Sequence, residues 1–286
     1  MDISEIILID KHKFYFFTYS SPSGDGMVVF ERYIPWMVYA ENRNIHEFYF
    51  TIPNKPGQLM EVLKVFAKHN INILSISAYA LPNWKYAPVF LFADFSDAGI
   101  STESIKRELE SATDNIVCTR RPLVRGFMSD EFAFPLYVFP GVRSIIMLEL
   151  DFQGMIRGMY SKLGDSAAVF LYHLAYPGGK SFANYLSKRL KLKGKELLKE
   201  ILKIYQAGGW ARVELVEYDP HTMKIVLRLY DSIECKLFKS SKPMSQLIRG
   251  HLSGLLSSLF KTNVRVVEKK CIAKGDPYCE FYVEIV

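Results

Sequence analysis

The chain has 286 residues, 49% of them hydrophobic, 23% charged and 14% aromatic, with a formal net charge of +6. That length exceeds one ordinary core, so two domains are the default, and the balance excludes a disordered chain. Four cysteines are too few for a disulfide framework. No apolar run approaches the ~20 residues of a membrane span, and the first residues (Met1-Asp-Ile-Ser-Glu) are not a basic leader, so a cytoplasmic protein is expected.

Residues 1–45 read as an N-terminal extension. Phe14–Phe17 and Met27–Phe30 flank a Ser/Pro/Gly-rich turn, which predicts a β-hairpin. From His46 the pattern becomes βαββαβ. A strand at Phe48–Ile52 leads through Asn54-Lys-Pro56-Gly57 into a helix carrying Leu59, Val62, Leu63 and Phe66. Pro56 suits the first helical turn, and Asn70 suits its left-handed C-terminal position. Strands at Ile71–Ala78 and Val89–Phe95 follow. A helix capped by Ser101 or Thr102 then bears Ile105 and Leu109, and a strand at Asn115–Thr119 closes the unit.

The segment N-x-P-G-x-L, a helix, and then His69-Asn-Ile-Asn-Ile73 resembles the ACT domain over about residues 46–121. The resemblance implies a ferredoxin-like regulatory module that pairs with a second copy and often binds an amino acid. The positions it marks are Asn54, Pro56, Gly57 and Asn72. A helix N-terminus with free N–H groups suits a carboxylate, although the same Pro-Gly can simply make the turn of a module that only pairs subunits.

Residues 122–140 read as a linker rich in turn residues. A second domain follows over 141–286. It opens with a strand at Ile145–Leu150 and a helix over Met155–Tyr176, which Pro177-Gly-Gly179 is expected to stop. Helices at Ser181–Leu192 and Lys195–Ala207 come next. Much of the positive charge lies between Lys188 and Lys203. It interleaves with leucines at helical spacing, as on a solvated helix face. Strands at Ala211–Tyr218 and Met223–Tyr230 form a hairpin, and Asp231–Cys235 reads as a strand end.

In the helix Gln246–Phe260, Gly250 and Gly254 lie on one face. Each costs ~1 kcal/mol relative to alanine, so a neighbouring backbone is expected close by. The C-terminal run Glu268-Lys-Lys-Cys271 to Cys279-Glu-Phe281 reads as a hairpin with a thiol near each strand end. Two thiols beside a carboxylate suit a soft divalent ion such as zinc; a buried hydrophobic thiol pair is the other reading.

The pattern E-x2-C-x-A-x-G-D-x-x-C-x-F after a G-x3-G-L-L helix resembles the C-terminal signature of the 4-vinyl reductase domain. That family includes sensory domains of aromatic-responsive activators, a bacteriochlorophyll biosynthesis protein and vesicle-tether subunits. The resemblance implies zinc held by Glu268, Cys271 and Cys279. The family's remaining cysteine falls on Ser245, and Cys235 is the candidate substitute. It also implies a pocket for a small apolar molecule, for which Tyr160, Phe170, His173 and Trp210 are the candidate lining.

The fold class is therefore α+β: a ferredoxin-like βαββαβ ACT domain, then a 4-vinyl reductase domain of helices and antiparallel sheet. No phosphate loop, catalytic signature, dinucleotide fingerprint or helix-turn-helix is visible. A non-enzymatic, homodimeric, ligand-sensing regulator of transcription or metabolism is expected. A dimeric tether or assembly protein and a reductase-type enzyme are the alternatives.

Overall fold

The computed structural model describes residues 18–20, 28–30, 32–113 and 115–286. Thr18–Ser20 (β1) pairs antiparallel with Val28–Phe30 (β2). The predicted strand at Phe14–Phe17 and the turn at 21–27 lie outside the described residues.

A first compact unit spans Glu31–Ile145. Its elements are Met37–Tyr39 (β3), Ile45–Pro53 (β4), Gln58–Lys68 (α1), Asn72–Ala78 (β5) and Tyr86–Asp94 (β6). Thr102–Thr113 (α2), Cys118–Arg120 (β7), Phe127–Ser129 (β8), Tyr137–Phe139 (β9) and Val142–Arg143 (β10) complete it. The sheet order is β5-β6-β4-β7, with every neighbour antiparallel. That is the ferredoxin-like arrangement expected of an ACT domain. Alternation along β4 sends Phe48, Phe50 and Ile52 into one core, against Val62 and Phe66 of α1 and Ile105 and Leu109 of α2.

Local chemistry sets the helix ends. Gly57 takes a left-handed conformation (φ 87°) as the N-cap of α1, so Pro56 precedes the cap instead of sitting in the first turn. Asn70 also has positive φ (56°). The Ser101 hydroxyl accepts the Ser104 N–H at 3.2 Å and caps α2. Residues 122–140 are bound into this unit. β8 pairs with β3, Met128 packs with Ile45 and Phe92, and the buried Glu47 carboxylate accepts the Glu131 N–H at 3.2 Å.

The second unit, over Ile146–Val286, contains Glu149–Leu163 (α3), Ser166–Leu190 (α4), Gly194–Ala207 (α5), Arg212–Asp219 (β11) and Lys224–Tyr230 (β12). A 3-10 turn at Cys235–Leu237 leads to Gln246–Phe260 (α6), Val264–Lys270 (β13) and Cys279–Ile285 (β14). The antiparallel sheet runs β11-β12-β14-β13. One face of it packs on α5 and α6 through Leu198, Ile201, Leu252, Leu255, Leu227 and Phe281, among others.

Four expectations fail here, the first being the single helix over Met155–Tyr176, which Gly164 (φ 54°) breaks into α3 and α4. Ile145–Leu150 is not a strand; its last residues begin α3. Asp231–Cys235 does not extend β12, because Asp231 has positive φ (50°) and the chain turns into the 3-10 helix at Cys235. Pro177-Gly-Gly179 does not stop a helix either, since α4 runs through it from Ser166 to Leu190.

The reason for the last is tertiary. A Cβ on Gly179 would overlap the His251 carbonyl, and Cβ atoms on Gly250 and Gly254 would overlap the carbonyls of Tyr172 and Tyr176. The two helices thus cross backbone to backbone at glycines contributed by both. An internal proline costs about 3 kcal/mol in a free helix. Here its ring faces solvent, and the close packing of α4 on α6 offsets the lost hydrogen bond.

Candidate metal centre and ligand cavity

The β13–β14 hairpin places Glu268 near the end of one strand and Cys279 at the start of the other, with Cys271 at the entry of the 3-10 turn Ile272–Lys274. Gly275 (φ 96°) reverses the chain, and the Asp276 carboxylate accepts the Cys271 N–H at 2.8 Å. The 3-10 turn after β12 brings Cys235 to the same point. The ligand atoms of Cys235, Glu268, Cys271 and Cys279 all lie within 4.8 Å of one another, and all four residues are buried. Cys235 Sγ is 3.4 Å from Cys271 Sγ.

Ser245, the N-cap of α6, stands inside this cluster. Its hydroxyl is 2.7 Å from Cys235 Sγ and donates to Glu268 Oε1 at 2.8 Å, while its N–H donates to Glu268 Oε2 at 3.2 Å. Backbone N–H groups of Met244 and Ile272 point at Cys271 Sγ and Cys279 Sγ, each at 3.4 Å. N–H donors aimed at sulfur stabilise thiolate, the form that binds metal.

Electrostatics set these buried groups against one another. Hydrogen bonds from Cys235 and Cys279 hold the Cys271 thiol far below its ordinary range, whereas its bond to Cys271 pushes Cys235 far above. Burial, and then the Cys271 charge, push Glu268 up to about 8. Four acidic groups share one buried volume and cannot all ionise without a counter-charge. Three thiols and a carboxylate match a tetrahedral soft ion with ligands at about 2.0–2.3 Å, which sets ligand atoms about 3.3–3.8 Å apart. The cluster can hold a metal ion, and the donor set fits one.

The same unit contains a cavity of about 210 Å³ lined by Phe182, Ile204, Tyr205, Gly208, Trp210, Leu247, Ile248 and His251. Its polar group is a pair: Tyr205 Oη lies 2.5 Å from His251 Nδ1. Burial lowers the His251 pKa to about 4 and pushes the Tyr205 hydroxyl far up, so both are neutral at pH 7. The hydroxyl is the better donor of the two. If it donates to Nδ1, the ring proton sits on Nε2.

Of the pocket residues expected from the sequence, Trp210 lines this cavity. Phe170 and His173 lie elsewhere, exposed along a shallow depression with Leu163, Ser166, Val169 and Leu174. Tyr160 packs edge-on to Phe238 with its ring centroid 5.5 Å away, and it does not line the cavity. Continuous α4 explains this placement: Tyr172, Tyr176 and Gly179 turn toward α6, which sends Phe170 and His173 outward. Tyr205 and His251 were not foreseen. Their signal is the G-x3-G face itself, because a helix crossing at glycines carries its neighbour His251 into the packed layer.

In the ACT unit, Gly57 is exposed, with open space where a Cβ would stand. Asn54 is already engaged: its amide donates to the carbonyls of Leu81 and Trp84 at 2.7 and 2.9 Å. Asn72 is exposed at the start of edge strand β5. Among the described residues no helix is long and apolar enough to cross a membrane.

Comparison with known proteins agrees with this order of units. Residues 46–110 match the model of the ACT domain and residues 225–285 match the model of the 4-vinyl reductase domain, so the chain carries the first followed by the second. It is 32% identical over 106 residues to the uncharacterized protein MJ1642 of Methanocaldococcus jannaschii, covering 37% of this chain and 62% of that protein. A second uncharacterized protein of that organism, MJ0855, is 43% identical over 53 residues, 18% of this chain and 23% of its own. The chain thus spans less than two thirds of either relative.

Among solved structures, the phenol-responsive sensory domain of the transcription activator PoxR, bound to phenol, has a TM-score of 0.46. It is 16% identical, over 50% of this chain and 77% of that one. A vinyl-4-reductase family protein from M. jannaschii has a TM-score of 0.31 at 20% identity, over 51% and 99%. A trafficking protein particle complex subunit 3 from Naegleria fowleri, covalently bound to palmitic acid, has a TM-score of 0.38 at 14% identity, over 48% and 92%.

Proposed function

We propose that this protein is a non-enzymatic, ligand-sensing regulator. Its 4-vinyl reductase domain takes one small, largely apolar or aromatic molecule in the cavity at Trp210 and His251. The observation that carries the reading is the cavity itself: a half-open, mostly apolar cavity of about 210 Å³ with the Tyr205–His251 pair at its wall. Among the described residues, that wall carries no thiol, serine or carboxylate beside the Tyr205–His251 pair, which suits binding better than turnover.

Zinc is the metal this reading assigns to Cys235, Glu268, Cys271 and Cys279, with a structural role, since four protein donors close the tetrahedron. Ser245 then supports Glu268 by hydrogen bonding and does not act as a ligand. The ACT domain supplies either an amino-acid site at the Pro56-Gly57 turn, with Asn54 holding the adjoining loop and Asn72 left out because it lies level with Ile45 at the other end of the sheet, or the pairing surface of a homodimer. Output to transcription or metabolism passes through a partner protein.

Native mass spectrometry of the full chain, purified without chelator, tests this directly. A retained zinc ion and a co-purified or added small aromatic molecule, with binding of phenol lost in Trp210→Ala, are expected. Full occupancy of phenol in Trp210→Ala and His251→Ala alike would move the ligand out of this cavity.

A further inference from the structure

One four-residue segment, Ser232–Cys235, touches both sites of the second unit. The Ile233 N–H donates to the Trp210 carbonyl at 2.9 Å, tying the segment to one wall of the cavity. Next in sequence, Glu234 is fully buried. Its Oε1 accepts the Leu247 N–H at 2.8 Å and its Oε2 accepts the Ile248 N–H at 3.0 Å. Leu247 and Ile248 also line the cavity, from the first turn of α6. The following residue, Cys235, belongs to the metal cluster.

Glu234 therefore does more than cap a helix. A capping carboxylate ordinarily comes from the residue at the helix start; here that residue, Ser245, is spent on Glu268. The capping oxygens come instead from a distant segment, whose position depends on where Cys235 is held. We propose that Glu234 is a positioning residue that couples metal occupancy to the shape of the cavity. An ion that resets the spacing of Cys235 from Cys271 and Cys279 moves the Glu234 carboxylate with it, and the first turn of α6 follows through two backbone hydrogen bonds. By linkage the coupling is reciprocal: what fills the cavity changes the affinity for the ion by the same factor. The inference rests on the metal reading above.

The test uses the full chain with zinc alone as the probe. Of three tryptophans, Trp36 and Trp84 lie in the ACT unit and are replaced by Phe, which leaves Trp210 as the reporter. Chelator-treated protein is titrated with zinc while emission is followed. Emission of Trp210 is expected to shift on zinc binding. In Glu234→Gln, which keeps size but turns an amide donor toward one of the two N–H groups, zinc should bind about tenfold more weakly, and the emission shift should vanish at saturation.

Zinc bound at full stoichiometry with unchanged Trp210 emission in the otherwise wild-type chain overturns the coupling, whether or not the variant folds, and leaves the metal reading intact. Glu234→Gln behaving like its parent in both respects also overturns it. Failure of the parent to bind zinc removes both readings together.

Discussion

The hydroxyl of Ser245 lies 2.7 Å from the sulfur of Cys235. The residue at the position where the 4-vinyl reductase resemblance implies a cysteine thus touches the cysteine proposed to replace it, and both sit against Glu268. Three thiols and a carboxylate thus converge, the third thiol coming from a turn ten residues before Ser245.

That relationship separates the two residues experimentally. Cys235→Ser should lose zinc, whereas Ser245→Ala should keep about one zinc per chain with reduced affinity, because only a supporting hydrogen bond is gone. Metal bound to the native state adds RT ln(1 + [L]/Kd) to stability. EDTA should accordingly lower the melting temperature of the parent by several degrees and leave Cys235→Ser unmoved. Elemental analysis beside thermal scans decides it; zinc retained in Cys235→Ser would assign the ligand to Ser245 or to water.

The helix crossing gives a second outcome. A Cβ at Gly254 would overlap the Tyr176 carbonyl, so Gly254→Val should cost about 1–3 kcal/mol or more, as forced overpacking does. Gly158→Ala on α3 meets nothing within 4 Å and should instead stabilise by about 0.5–1 kcal/mol. Denaturant midpoints of the two variants should move in opposite directions.

In the ACT unit the pH dependence has a defined sign. Burial first, and then Asp130 beside it, push the Glu47 carboxyl up to about 8. The stability it contributes is complete below the unfolded value of about 4.5 and is lost as pH rises toward 8. Glu47→Gln, permanently neutral, should flatten that part of the stability curve. Equal slopes between pH 5 and 8 for parent and variant would show that the carboxyl is ionised throughout.

Gly57 is at φ 87°, where a β-branched side chain is strained by about 1–2 kcal/mol. Gly57→Val should lower the midpoint of the ACT transition and abolish any amino-acid binding at that turn in calorimetry. Unchanged binding would place the amino acid elsewhere, and no binding of any standard amino acid by the parent would leave pairing as the unit's role.

The sequence by itself determined whatever rests on near neighbours. The βαββαβ order follows from the periods of the apolar residues. Gly57, Asn70 and Gly275 follow from backbone conformations that few residues tolerate, and the nearness of Glu268, Cys271 and Cys279 follows from a short hairpin. A close backbone beside Gly250 and Gly254 was likewise legible, since two interior glycines destabilise a helix unless something packs on them.

Only the tertiary structure decided what depends on distant partners. Pro177 stays inside α4 because α6 crosses at Gly179, which no local propensity records. That continuation turns His173 to solvent and leaves His251, with Tyr205, at the cavity. Cys235 meets the hairpin thiols because a positive-φ aspartate ends β12 and a 3-10 turn redirects the chain. A single helical residue sweeps about 100° of azimuth, so which histidine faces inward is set by the long-range contact between two helices and not by the residues beside it.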